Sequence, residues 1–133
     1  MRALIQRVSS ASVLVDHQIV GSINIGVLVF LGIEKDDSAD RVEPIVDRII
    51  NYRIFSDSEG HMNHSLLDIS ASLLLVPQFT LVANTKKGTR PSFSPAANPE
   101  LARDLYHLFI NYASKKCDVH SGIFGADMKV NLC

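Results

Sequence analysis

Ser72-Leu73-Leu74-Leu75-Val76-Pro77-Gln78-Phe79-Thr80-Leu81 is the stretch around which the rest of the chain is organised. Four apolar residues in a row, too few for a helix of their own, read as a strand covered on both faces. Pro77 cannot donate to a sheet ladder, so pairing is expected to loosen there. Beyond it a period of two puts Gln78 and Thr80 on one face and Phe79 on the other. A carboxamide and a hydroxyl side by side at the end of a rigid strand form a candidate site. The plainer alternative, that both satisfy nearby backbone groups as buried polar side chains do, stays open at this point.

Length and composition bound the answer. The 133 residues make one domain, 1–133, large enough to bury a real core. Hydrophobic residues make up 47% and mean hydropathy is +0.15, a surplus that points to an interface with a second copy. The longest apolar runs, Gly26–Ile33 and Leu73–Val76, are far too short to span a bilayer, so no membrane role is expected. Residues 1–7 lack the long apolar region of a signal peptide. Cys117 and Cys133 form no CxxC or paired framework, which makes a reducing cytoplasm the simplest location. Net charge is −1, so any nucleic acid has to be held by a local patch.

Taken in order, Ala3–Val8 reads as a strand. Ser12–Val15 and Ile19–Ile25 read as a hairpin around Asp16-His17-Gln18, and Gly26–Ile33 as a second buried strand. Val42, Ile45, Val46, Ile49 and Ile50 fall at helical spacing, with Asp40 and Glu43 resembling a capping box. Tyr52–Phe55 is expected to be a strand, Asp57–Gly60 a turn, and His61–Ile69 a loop. Thr80–Ala83 is expected to continue the organising strand into a polar, basic loop, residues 84–91. Asn98, Pro99 and Glu100 open a second helix with Leu101, Leu105, Leu108, Phe109 and Tyr112 inward and Lys115-Lys116 in its last turn. Met128, Val130 and Leu132 alternate as a final strand. Strands outnumber helices without strict alternation, so the class is α+β, or α/β in broad terms, with two helices packed on antiparallel-rich sheets.

Few constellations carry chemistry. His61 and His64 lie three apart in a stretch that reads as loop, with no third ligand in reach, so no metal site is expected. There is no nucleophile elbow, no Walker A loop and no dinucleotide fingerprint. Thr80 is a poor nucleophile without a base beside it. Lys86-Lys87-Gly88-Thr89-Arg90 is the single compact basic cluster: either a solvated loop tip or a phosphate contact near Gln78 and Thr80.

Several segments together resemble the D-aminoacyl-tRNA deacylases, also known as the D-tyrosyl-tRNA deacylases. They are Leu4-Ile5-Gln6-Arg7-Val8, Gly32-Ile33-Glu34-Lys35-Asp36-Asp37, Tyr52-Arg53-Ile54-Phe55-Ser56-Asp57, Gln78-Phe79-Thr80-Leu81, Arg90-Pro91-Ser92-Phe93-Ser94 and Ala126-Asp127-Met128. The resemblance runs from Met1 to Leu132 without a large insertion. It implies a cytoplasmic homodimer with a three-layer ββα sandwich and a site at the dimer interface. The implied activity is hydrolysis of the ester joining a D-amino acid, or glycine, to the terminal adenosine of tRNA, which enforces homochirality without cofactor or metal.

Gln78, Phe79 and Thr80 are the expected catalytic residues: the Phe79 N–H, helped by the Gln78 side chain, stabilises an oxyanion, and Thr80 either positions ester or water or attacks directly, positioning being favoured because the motif brings it no base. The resemblance implies instead that the tRNA 2′-hydroxyl assists. Pro77, Lys86, Lys87, Arg90 and Phe93 are the implied substrate-binding residues.

Two departures bear on this reading. Pro77 stands where the family has Ser in Ser-Gln-Phe-Thr; a sister group that clears L-alanine carries Pro-Gln there, whereas Phe79 favours the D-amino-acid reading. The family's Asn-x-Gly-Pro-Val-Thr motif, whose Gly-Pro pair excludes the L enantiomer, belongs directly after Cys133 and precedes a last strand. A 133-residue chain without it is expected to be less stable and less selective. The competing reading is a nucleic-acid-binding or interaction module on the same fold that has lost catalysis.

Overall fold

The computed structural model describes residues 1–133. Nine strands and two helices follow in order: β1 (Arg2–Val8), β2 (Ala11–Val15), β3 (Gln18–Ile23), β4 (Gly26–Gly32), α1 (Val42–Ile50), β5 (Phe55–Ser56), β6 (Met62–His64), β7 (Ser72–Pro77), α2 (Pro99–Ser114), β8 (Val119–Ser121) and β9 (Lys129–Leu132). Short 3-10 turns precede α1 (Ala39–Arg41) and follow β7 (Phe79–Val82).

The central sheet has the order β1-β4-β7-β8, with β1 antiparallel to β4 and the next two pairings parallel. Its two middle strands explain the unbroken apolar run. Val27, Val29, Leu31, Leu73 and Leu75 enter the main core, where α1 brings Val42, Val46, Ile49 and Ile50 and α2 brings Leu105, Tyr106 and Phe109. Leu28, Leu74 and Val76 point the other way, against Ala11, Val13 and Ile23 of a second sheet ordered β3-β2-β9. Leu73, Leu74 and Leu75 are all 0% exposed, and each such leucine contributes about 1.5–3 kcal/mol. The layers are therefore outer sheet, central sheet and helices: an α+β, three-layer ββα sandwich. Gly26 makes the central pairing possible, because a Cβ there would sit 2.0 Å from the Ser72 carbonyl oxygen.

Local chemistry shifts several expected boundaries. Asp16 and His17 both take positive φ, 49° and 64°, making a two-residue hairpin turn that lets β3 start at Gln18. β3 stops at Ile23, and Ile25 is exposed. Asp40 does not cap α1: it lies inside the preceding 3-10 turn, where it accepts from the Ser38 hydroxyl, and Arg41 holds the cap position without a side-chain bond. Tyr52–Phe55 is not a strand. The Asn51 and Tyr52 N–H groups still donate to the Asp47 and Ile49 carbonyls as α1 unwinds, so only Phe55 and Ser56 pair.

The expected loop after Gly60 contains β6. Asp57 accepts from the backbone N–H groups of His61 at 3.0 Å and Glu59 at 2.9 Å, which closes the turn and holds its carboxyl below the usual range. In α2, Asn98 accepts from the Leu101 N–H at 2.9 Å and Pro99 opens the helix, as its sequence dictates. The buried stripe is Ala102, Leu105, Tyr106, Phe109 and Ala113, with Leu101, Leu108 and Tyr112 half-buried at its margins. Lys115 is the C-cap residue, and Lys116, just past the helix, reaches across to Asp47 and Glu43 of α1.

Candidate active site at the end of β7

β7 ends where its pairing partner does. Gln78 makes the last contact, donating its N–H to the Leu31 carbonyl at 2.8 Å, and the chain then turns. Thr80–Ala83 does not continue the strand, because Phe79–Val82 winds into a 3-10 turn with Gln78 as its cap. Gln78 and Thr80 nonetheless come together. The turn, rather than strand alternation, brings the Gln78 Nε2 donor onto the Thr80 hydroxyl oxygen. An amide nitrogen cannot take a proton from that hydroxyl, so this partner fixes Thr80 without activating it. The N–H groups of Phe79 and Thr80 open the 3-10 turn, and the first N–H groups of such a turn have no acceptor inside it.

Beside this turn lies a cavity of about 510 Å³. Pro77, Gln78 and Phe79 form one wall, Pro99 and Ala102 of α2 a second, and Phe124, Gly125, Ala126 and Met128 a third. Most of that lining is apolar, and Gln78 and Asp127 supply its polar side chains. The third wall is tied directly to β7: the Gly122 N–H donates to the Leu75 carbonyl at 2.9 Å. The buried Tyr106 hydroxyl lies 3.1 Å from that same carbonyl and 3.0 Å from the Gly122 carbonyl. Its one proton serves one acceptor at a time, and burial pushes its pKa above the ordinary tyrosine range. Tyr106 thus ties the wall to β7. Burial, with the Asp118 charge beside it, pushes the Cys117 thiol up to about 11, away from thiolate chemistry.

The structure brings some of the anticipated residues to one place and leaves others apart. Pro77, Gln78 and Phe79 line the cavity, and Thr80 adjoins it through Gln78. Phe93 meets Phe79 edge to face, ring centroids 5.2 Å apart, though both rings stay largely exposed. Lys86, Lys87 and Arg90 lie in the exposed loop that follows, pinched at its base by two backbone bonds between Asn84 and Ser92 at 2.8 and 3.0 Å. Gly88 turns the tip with φ 65°. None of the three cations is engaged in an ion pair.

Part of the cavity's lining leaves no mark in the hydrophobic pattern. Ala97, Ala102, Gly125 and Ala126 give room because they are small, and small size carries no pattern of its own in a single chain.

Known proteins resemble this chain in sequence and fold. The family model described as D-Tyr-tRNA(Tyr) deacylase matches residues 4–133. The D-aminoacyl-tRNA deacylase of Francisella tularensis subsp. tularensis (strain WY96-3418) is 52% identical over 133 residues, covering 99% of this chain and 92% of that protein. That of Legionella pneumophila (strain Lens) is 51% identical over 135 residues, covering 100% and 92%. A solved structure described as c-Myc DNA Unwinding Element Binding Protein superposes with TM-score 0.94 at 35% identity, covering 99% of this chain and 91% of its own. A probable eukaryotic D-amino acid tRNA deacylase superposes with TM-score 0.84 at 18% identity, over 98% and 92%, and speaks to the fold alone. A three-layer sandwich with its cavity at the end of the central strand defines the architectural class. Within it, the chain belongs to the D-Tyr-tRNA(Tyr) deacylase family.

Proposed function

We propose that this protein hydrolyses the ester between a D-amino acid and tRNA, with the reacting carbonyl seated at the Phe79 N–H. The observation that carries the reading is the Gln78–Phe79–Thr80 turn bordering a cavity large enough for a nucleoside end group. An aminoacyl ester is already reactive, so geometry and charge stabilisation matter more than a strong base. One N–H aimed at the developing oxyanion is worth ~2.7–4 kcal/mol. Thr80, its oxygen occupied by the Gln78 amide, keeps its own proton free to orient the ester or a water molecule. Pro77 and the Phe79–Phe93 pair wall the approach to the turn. Discrimination by steric exclusion of an L side chain, rather than by a pocket fitted to each D residue, would leave tolerance among D side chains broad.

We infer that the protein works as a cytoplasmic homodimer. The exposed Phe79 and Phe93 rings at the cavity mouth support a second copy lying close by. No helix of the chain is long and apolar enough to cross a membrane. A module that merely held nucleic acid would have no use for a Gln–Thr pair fixed beside an apolar cavity.

Lys86, Lys87 and Arg90 contact the tRNA backbone, which their freedom from ion pairs supports. Replacing Lys86 and Lys87 with alanine is expected to raise KM for every D-aminoacyl-tRNA alike and leave kcat in place. The dependence of log(kcat/KM) on log salt should flatten by ~0.7–0.9 for each phosphate that is no longer neutralised. Steady-state kinetics at several salt concentrations measures both. An altered D/L preference with the salt slope untouched would refute this assignment.

A further inference from the structure

Arg103 stands at the edge of the cavity with no partner for its charge. α2 begins at Pro99, and both Pro99 and Ala102 line the cavity. Arg103 follows Pro99 by four residues, so it lies one turn further along the same face. Helical side chains tilt toward the N-terminus of their helix, which here is the cavity end. The Arg103 guanidinium lies over the ring of Phe124, 5.8 Å from its centre, and Phe124 belongs to the cavity's third wall. Phe124 is half-buried and also packs on Tyr106, ring centroids 5.9 Å apart, so it offers a firm seat.

The nearby carboxylates do not neutralise this cation. Glu100 and Asp104 of its own helix form no ion pair with it, and Asp127 on the cavity wall is held by Lys129 at 3.0 Å. Arg103 is exposed. A guanidinium lying over a ring keeps its N–H groups at its edge, in a fork that matches two oxygens of one phosphate.

The geometry points to Arg103 as the residue that binds the phosphodiester joining the terminal nucleoside of the tRNA to the nucleotide before it. This rests on the reading of the cavity as the seat of that nucleoside. The lining is mostly apolar, and the charged phosphodiester leads on to the rest of the tRNA, so it leaves the cavity at the rim. Lys86, Lys87 and Arg90 serve other phosphates. Their loop lies between Phe79 and Phe93 in the chain, whereas Arg103 stands by the walls that α2 and Phe124 form.

The test uses three D-tyrosyl esters: that of tRNA, that of adenosine at its ribose 3′-oxygen, and that of adenosine 5′-monophosphate at the same oxygen. Arg103→Ala is expected to lower kcat/KM about 10-fold for the tRNA and the 5′-monophosphate esters. With the adenosine ester, which offers no phosphate, the loss should shrink to less than about twofold. Wild type should itself prefer the 5′-monophosphate ester to the adenosine ester by about the same 10-fold. Arg103→Lys, a point charge without the fork, should recover part of the loss. An equal loss on all three esters would overturn the assignment and leave Arg103 as a support for Phe124; so would no loss on any. Wild type that hydrolyses none of the three would overturn the deacylase reading itself, and this inference with it.

Discussion

Phe79→Pro is expected to reduce the hydrolysis of D-aminoacyl-tRNA by about 10²–10³-fold while the protein stays folded. Phe79 is the first residue of the 3-10 turn, a position where proline's fixed φ fits and its missing N–H breaks no bond within the turn. The substitution therefore removes the proposed oxyanion donor with little disturbance of the backbone. Phe79→Leu separates the donor from the ring: it keeps the N–H, gives up the edge-to-face packing on Phe93, and should retain most of kcat. Thr80→Ala should also keep much of the activity, because the hydroxyl is held by an amide and not by a base. Single-turnover rates with circular dichroism as the fold control decide the matter. Background activity in a well-folded Thr80→Ala, beside an active Phe79→Pro, would make Thr80 the nucleophile.

Gly26→Ala is expected to have the largest effect on stability. The β4–β7 register sets Gly26 opposite Ser72, and the added Cβ would fall 2.0 Å from the Ser72 carbonyl oxygen. No flexible side chain can yield there; two backbones in the middle of the molecule must part. Leu28 and Leu74 on one face, and Val27 and Leu73 on the other, would lose their fit together. A cost of about 4 kcal/mol is reasonable for such a site, against the ~5–15 kcal/mol that holds a typical domain together. Urea denaturation monitored by circular dichroism measures it. A loss below about 1 kcal/mol, the usual range for a surface change, would show that the strands separate cheaply.

What the sequence revealed, and what it hid, follows from the range of the interactions. Leu73–Val76 could be read as doubly covered because alternate side chains of a central strand must each find a core, and they do. Asn98 and Pro99 announced α2 because a cap bond spans only three residues. Thr80–Ala83 reads as continuing strand because polar and apolar residues alternate from Gln78 onward. What ended the strand was the loss of a pairing partner beyond Leu31, information held elsewhere in the chain. β8 escaped notice altogether: Val119, His120 and Ser121 have no run or alternation of their own, and they pair only because β7 offers a free edge. Tyr106 was passed over for Leu108 and Tyr112. It belongs to the helix's own buried stripe, and its polar hydroxyl is met there by the Leu75 and Gly122 carbonyls, partners the helix sequence does not announce. The turn carrying Gln78, Phe79 and Thr80 is visible as residues, whereas the cavity beside it is opened by small side chains from two distant segments, Ala97 and Ala102, and Gly125 and Ala126.

The most direct test of the account is hydrolysis of D-tyrosyl-tRNA and L-tyrosyl-tRNA, side by side, by the protein as its gene encodes it. Release of the D-amino acid with the L ester left intact is the predicted result. Release of neither, by protein whose fold and mass have been verified, would contradict it.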